Sequence, residues 1–126
     1  MTKILFDTNV LIWYFWGRDR VIPIKELIES IDSEVYISSV SLWEIAMKIR
    51  AGKLSINFEE LHSYILRHRF RELPMSSKYM KTYLELPSLH KDPFDLMLIA
   101  QALSCPMRLI TGDAILREYS SLVMVI

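Results

Sequence analysis

The stretch Ile4–Ile12 reads ILFDTNVLI, and its reading decides the fold. Ile4, Leu5 and Phe6 form a short apolar run, the mark of a strand buried on both faces. Asp7 ends that run abruptly. Thr8 and Asn9 follow, both good residues for opening a helix, and Val10–Trp16 continues as one. A strand leading straight into a helix is the unit from which parallel sheets are built. In open parallel sheets, ligands bind outside the carboxyl ends of the strands. Asp7 stands at such an end. Helix capping alone also accounts for an Asp there. The functional reading gains weight because three later segments deliver an acid at an element boundary.

The remaining helices and strands follow from spacing and punctuation. Gly17-Arg18-Asp19-Arg20 is a polar turn. Ile22, Ile24, Leu27, Ile28 and Ile31 recur at near-helical intervals, which predicts an amphipathic helix from Pro23 to about Ile31. Val35-Tyr36-Ile37 reads as a second strand. Leu42, Ile45, Ala46 and Ile49 form the apolar stripe of the next helix, and Gly52 stops it. Asn57 caps a helix reaching to Phe70, which ends in the basic cluster Arg67, His68, Arg69 and Arg71. Phe70–Leu73 reads as a third strand, and Ser76 or Ser77 caps a helix through Leu84 packed by Tyr79, Met80 and Tyr83. Met107–Ile110 is a fourth strand and Leu122–Ile126 a terminal one.

Four further acids sit at the boundaries of these elements. Ser41-x-x-Glu44 matches a capping box, and Glu44 also lies near the sheet edge that carries Asp7. His90-Lys91-Asp92-Pro93-Phe94-Asp95 opens a helix running to Ser104 that is apolar nearly all round, with Gln101 its main polar interruption. Asp92 is its natural cap. Asp95 shares a face with Leu98, Ile99 and Ala102, where a carboxylate is costly unless a metal, an Arg or a set of N–H groups neutralises it. Thr111-Gly112-Asp113 ends the fourth strand and repeats the Asp7 pattern of strand, acid and helix.

Bulk composition bounds the rest. A chain of 126 residues is one domain with room for a real core, and a hydrophobic fraction of 52% argues against disorder. Cys105 is the only cysteine, which fits a reducing cytoplasm and a packing role. No signal peptide is visible, and no apolar stretch reaches membrane-spanning length. Net charge is zero, from 15 basic and 15 acidic residues. If Asp7, Glu44, Asp92, Asp95 and Asp113 share one pocket, removing those five leaves 15 basic against 10 acidic residues. That balance suits a phosphate-backbone substrate.

There is no Gly-rich phosphate loop, paired-cysteine zinc site or nucleophile-elbow serine. Acids at strand ends and helix starts remain, an oxygen-rich donor set suited to Mg²⁺ or Mn²⁺. Two such ions activate water and stabilise the leaving oxygen of a phosphodiester.

The motifs DTN at 7–9, SVSLWEIAMK at 39–48, HKDPFDLMLIAQA at 90–102 and TGD at 111–113 resemble those of the PIN-domain family. The resemblance is closest to the VapC-type ribonuclease toxins of bacterial toxin–antitoxin pairs and spans essentially the whole chain. It implies a three-layer α/β/α sandwich with a parallel sheet of about five strands in the order 3-2-1-4-5. It also implies a metal-dependent endoribonuclease using Mg²⁺, or Mn²⁺, in the cytoplasm. Asp7, Glu44 and Asp95 fall on the family's metal-coordinating acids and Asp113 on its fourth acid. Asp92 falls on an extra acid of this branch, while Asn9 and Thr111 match polar positions that orient the acids. Leu96 departs from the pattern, since many relatives carry Arg there. A non-catalytic regulatory module or a DNA-directed nuclease of the same fold is the alternative reading.

The first helix bears on partners. Val10–Trp16 reads VLIWYFW and offers no polar face, whereas a helix on a sheet buries only one stripe. Either Ile24, Leu27 and Ile28 cover the surplus, or a groove with Trp13 or Trp16 on its wall receives an amphipathic helix. The resemblance implies that this helix belongs to a cognate antitoxin and that the protein forms a homodimer through other helices.

Overall fold

A computed structural model describes residues 1–126. Five parallel strands form one sheet in the order β3-β2-β1-β4-β5. They are β1 (Thr2–Phe6), β2 (Ser33–Ser38), β3 (Arg71–Leu73), β4 (Arg108–Thr111) and β5 (Val123–Val125). The helices are α1 (Thr8–Trp16), α2 (Lys25–Glu29), α3 (Ser39–Arg50), α4 (Phe58–Arg67), α5 (Met80–Glu85) and α6 (Pro93–Ser104). Short 3₁₀ turns occupy Asp19–Ile24, Ser77–Tyr79 and Ala114–Tyr119.

Side chains alternate across a strand, so β1 feeds two cores. Ile4 and Phe6 join Val10, Leu11, Tyr14, Ile24, Ile28, Leu61 and Ile65 on the face covered by α1, α2 and α4. Leu5 joins Met97, Leu98, Leu109 and Leu116 on the face covered by α5 and α6. Ile4, Leu5 and Phe6 are all fully buried, as a central strand with two covered faces requires. These layers make the three-layer α/β/α sandwich that the family resemblance implies.

The chain leaves β1 towards β2 on one side and returns to β4 on the other. The sheet therefore has its topological switch point between β1 and β4, where the Asp7 N–H donates to the Ile110 carbonyl at 2.9 Å. Asp7 and Asp113 both leave the sheet at that crevice.

Three local expectations are corrected. The predicted helix from Pro23 to Ile31 is a 3₁₀ turn containing Pro23 followed by the five-residue α2. The Ser33 hydroxyl donates to the Leu27 carbonyl at 2.6 Å and so takes up a group at the end of α2, and Ile22 and Ile31 are left exposed. The capping box at Ser41 does not form. Ser38 caps α3 by accepting from Val40 N, while Ser41 lies buried inside the helix. Ala46 and Met80 face outward rather than packing inward.

Candidate active site

Asp7 is the N-cap of α1. Its Oδ1 accepts the Val10 N–H at 2.8 Å, and its Oδ2 accepts the Thr111 hydroxyl. Thr111 is itself fully buried, and its Oγ1 accepts the Asp113 N–H at 3.1 Å. One threonine at the end of β4 thus ties two of the acids together. Asp7 is only 4% exposed, and no cationic side chain pairs with it. Burial pushes its carboxyl up to about 6. The Thr111 and Val10 hydrogen bonds oppose that rise, and the nearby Asp95 charge adds to it.

Glu44 lies in the second turn of α3. Despite its place off the apolar stripe it is buried, and Lys48 Nζ sits 3.2 Å from its Oε2. Two polar contacts aim α3 at the crevice. The Thr8 hydroxyl donates to Ser41 Oγ at 3.0 Å, which fastens α3 to the first turn of α1. The Ser38 hydroxyl donates to Gln101 Oε1 at 2.6 Å, which fastens the start of α3 to α6. Gln101 completes its bonding by donating from Nε2 to the Pro74 carbonyl at 3.4 Å. The apparent blemish on an apolar helix is a buried clasp.

Asp95 comes from the first turn of α6. Asp92 caps that helix, accepting Phe94 N at 2.9 Å and Asp95 N at 3.5 Å. The cap gives Asp92 a structural role at the start of α6. Burial raises the Asp95 carboxyl, the charges of Asp92 and Glu44 push the same way, and His90 opposes them. Asp113 caps the 3₁₀ turn after β4, with Oδ1 accepting Ile115 N at 3.0 Å. The Asp95 charge is felt at Asp7 and the Glu44 charge at Asp95, and Thr111 joins Asp113 to Asp7. Asn9 is exposed on α1, and its side chain is not among the hydrogen-bond partners of Asp7 or Asp113.

His90 was not singled out by the sequence reasoning. Its Nε2 lies 2.9 Å from Asp95 Oδ2 and 3.6 Å from Asp113 Oδ2. His90 thus gives the Asp95 carboxyl a hydrogen-bond partner on the partly buried face of α6. The signal was a titratable residue five positions before Asp95, ahead of a Pro-opened helix. No general rule of spacing marks that as a contact.

The aromatic surplus of α1 divides in two. Trp13 turns towards the acids: a Cβ on Gly112 would meet its indole at 2.4 Å, and the Arg20 guanidinium stacks over it at 4.0 Å. Trp16 is 41% exposed and lines a groove with Phe15, Val21, Tyr64 and His68. Trp13 is not on that groove wall. The groove opens at the far end of α1 from Asp7, roughly 13 Å along a helix of this length.

The fold and site define a parallel α/β protein with carboxylates gathered at the switch point of its sheet. Residues 4–122 match the PIN domain family model, and the chain belongs to the PIN-domain family. Solved structures share the fold at low sequence identity. VapBC2 from Rickettsia felis bound to a promoter DNA fragment is 20% identical with a TM-score of 0.74, covering 97% of this chain and 96% of that one. A toxin–antitoxin complex from Klebsiella pneumoniae is 20% identical with a TM-score of 0.70 and the same coverages of 97% and 96%. DNA-bound VapBC from Salmonella typhimurium is 21% identical with a TM-score of 0.66, covering 94% and 91%. No curated protein sequence matches the chain.

Proposed function

We propose that this protein is a metal-dependent endoribonuclease acting as the toxin of a toxin–antitoxin pair in the cytoplasm. What supports this reading is the pairing of Asp95 and Asp113 about His90, with Asp7 joined to Asp113 through Thr111 and the Glu44 charge felt at Asp95. Buried carboxylates repel one another and resist ionisation unless a cation joins them. Their oxygen donors fit Mg²⁺, or Mn²⁺, with Asp7, Glu44, Asp95 and Asp113 as the holding residues. When bound, such an ion supplies Lewis acidity and makes water a usable nucleophile near neutral pH.

The chain's own residues supply the positioning. Thr111 and Val10 N–H occupy one lone pair on each Asp7 oxygen and fix the carboxylate's orientation. Lys48 balances Glu44 from the solvent side. Asp113 has the more open side chain, 35% exposed against 19% for Asp95, and stands nearer the mouth, where an RNA backbone would approach. The groove beside Trp16 is suited to an amphipathic antitoxin helix. A separate apolar face, where Trp43 packs on Phe94 at 5.5 Å beside Met75 and Met80, is suited to a homodimer contact.

The reading is tested by cleavage of a single-stranded RNA in Mg²⁺. Cleavage should vanish with EDTA and in a folded Asp95→Asn protein. Undiminished cleavage by that variant removes Asp95 from the chemistry.

A further inference from the structure

We propose that His90 is a nitrogen donor of the metal centre, ligating through Nε2 beside Asp95 and Asp113 and shifting its preference from Mg²⁺ towards Mn²⁺. The inference rests on the metal-binding reading above and adds a ligand and a selectivity to it.

The geometry carries the argument. His90 Nε2 and one carboxylate oxygen each from Asp95 and Asp113 all lie within 4.8 Å of one another. Octahedral ligands at about 2.1 Å from an ion are about 3 Å apart when adjacent and about 4.2 Å apart when opposite. The observed separations of 2.9 Å to Asp95 and 3.6 Å to Asp113 fall in that span. In the structure Nε2 lies at hydrogen-bond distance, 2.9 Å, from Asp95 Oδ2, a contact in which a ring N–H on Nε2 would be the donor. Moving the ring proton to Nδ1 turns the same nitrogen into a lone-pair donor without moving the ring.

His90 is also placed rather than merely present. It directly follows the strap Leu86–Leu89 between α5 and α6, and Tyr119 grips that strap. The Tyr119 hydroxyl accepts Leu89 N–H at 3.1 Å and donates to the Pro87 carbonyl at 2.9 Å. The strap is thereby fixed against the 3₁₀ turn that Asp113 caps. Tyr119 thereby ties the segment before His90 to the turn that follows Asp113. Tyr119 is a positioning residue for the imidazole.

The chemical consequence follows from ligand type. Mg²⁺ takes oxygen donors and dehydrates reluctantly, whereas imidazole nitrogen favours transition ions. An all-carboxylate centre leaves this choice to availability. One imidazole among the acids biases it.

The test uses untagged full-length protein, Mn²⁺ and Mg²⁺. Pulsed EPR of bound Mn²⁺ should show ¹⁴N coupling from one imidazole, absent in His90→Ala. Competition titration should show the Mn²⁺ over Mg²⁺ preference falling at least about tenfold in that variant. His90→Gln should still bind Mn²⁺, now without nitrogen coupling, and Tyr119→Phe should weaken the coupling. Mn²⁺ bound by the parent without ¹⁴N coupling, or a preference unchanged in His90→Ala, overturns the role of His90 alone. Failure of the parent to bind either ion overturns the metal-binding reading itself.

Discussion

Replacing Asp7 by Asn in the metal-free protein should raise stability at neutral pH and lower it in acid. Burial lifts the Asp7 carboxyl from 3.8 to about 6. A folded-state value above the unfolded one means that folding favours the protonated form. This contribution is fully present below about pH 4 and is lost as pH rises through about 6. Above that, ionised Asp7 costs the folded state about 3 kcal/mol. The amide keeps an oxygen for Val10 N–H but gives Thr111 a poorer partner, a loss of about 1 kcal/mol. The net gain for Asp7→Asn near pH 7.5 is about 2 kcal/mol, or several degrees in Tm. Near pH 4 the sign reverses, and the variant is about 1 kcal/mol weaker. Urea unfolding of both proteins in EDTA from about pH 4 to about pH 8 reads the difference directly. Parallel stability curves across that range would refute the argument, because they would mean that Asp7 ionises as freely in the folded chain as in the unfolded one.

Other outcomes are checked as simply. Gly112→Ala places a methyl against the Trp13 indole at 2.4 Å, so urea unfolding should show a loss of about 1–3 kcal/mol, and cleavage should fall with the displaced Asp113 loop. Trp16→Ala should weaken binding of the cognate antitoxin by more than about 1 kcal/mol by calorimetry while leaving cleavage intact, since the groove lies away from the acids. Added Mg²⁺ or Mn²⁺ should raise the Tm of the parent through linkage, and Asp95→Asn should lose much of that response in a thermal scan.

The central strand was legible because burial on two faces leaves a plain trace, whereas the sandwich and its strand order came from the family resemblance. Ile4-Leu5-Phe6 could hardly be anything but a central strand, and each later acid follows its own element boundary. Polar contacts between distant segments left no such trace. Gln101 read as an interruption of an apolar helix and is a clasp to Ser38 and Pro74. Glu44 lay off the stripe on the helical wheel, yet it is buried because α3 crosses the sheet edge and feeds both cores, Val40 into one and Ile45 into the other. The helix expected at Pro23–Ile31 had the right spacing but is only partly realised, as a 3₁₀ turn and α2, since Ser33 takes the Leu27 carbonyl at the end of α2. His90 was invisible for the same reason as the clasp. Its importance comes from where the strap folds back, which depends on Tyr119, some 30 residues away.

The most direct measurement is a crystal structure of Mn²⁺-soaked protein with anomalous data at the manganese edge. The account predicts a peak in the β1–β4 crevice, about 2.1 Å from carboxylate oxygens of Asp95 and at least one of Asp7, Glu44 and Asp113. In Asp95→Asn crystals grown and soaked alike, that peak should weaken or vanish. A strong peak held by other residues, with the crevice empty at saturating Mn²⁺, would contradict the claim that these acids form a metal centre.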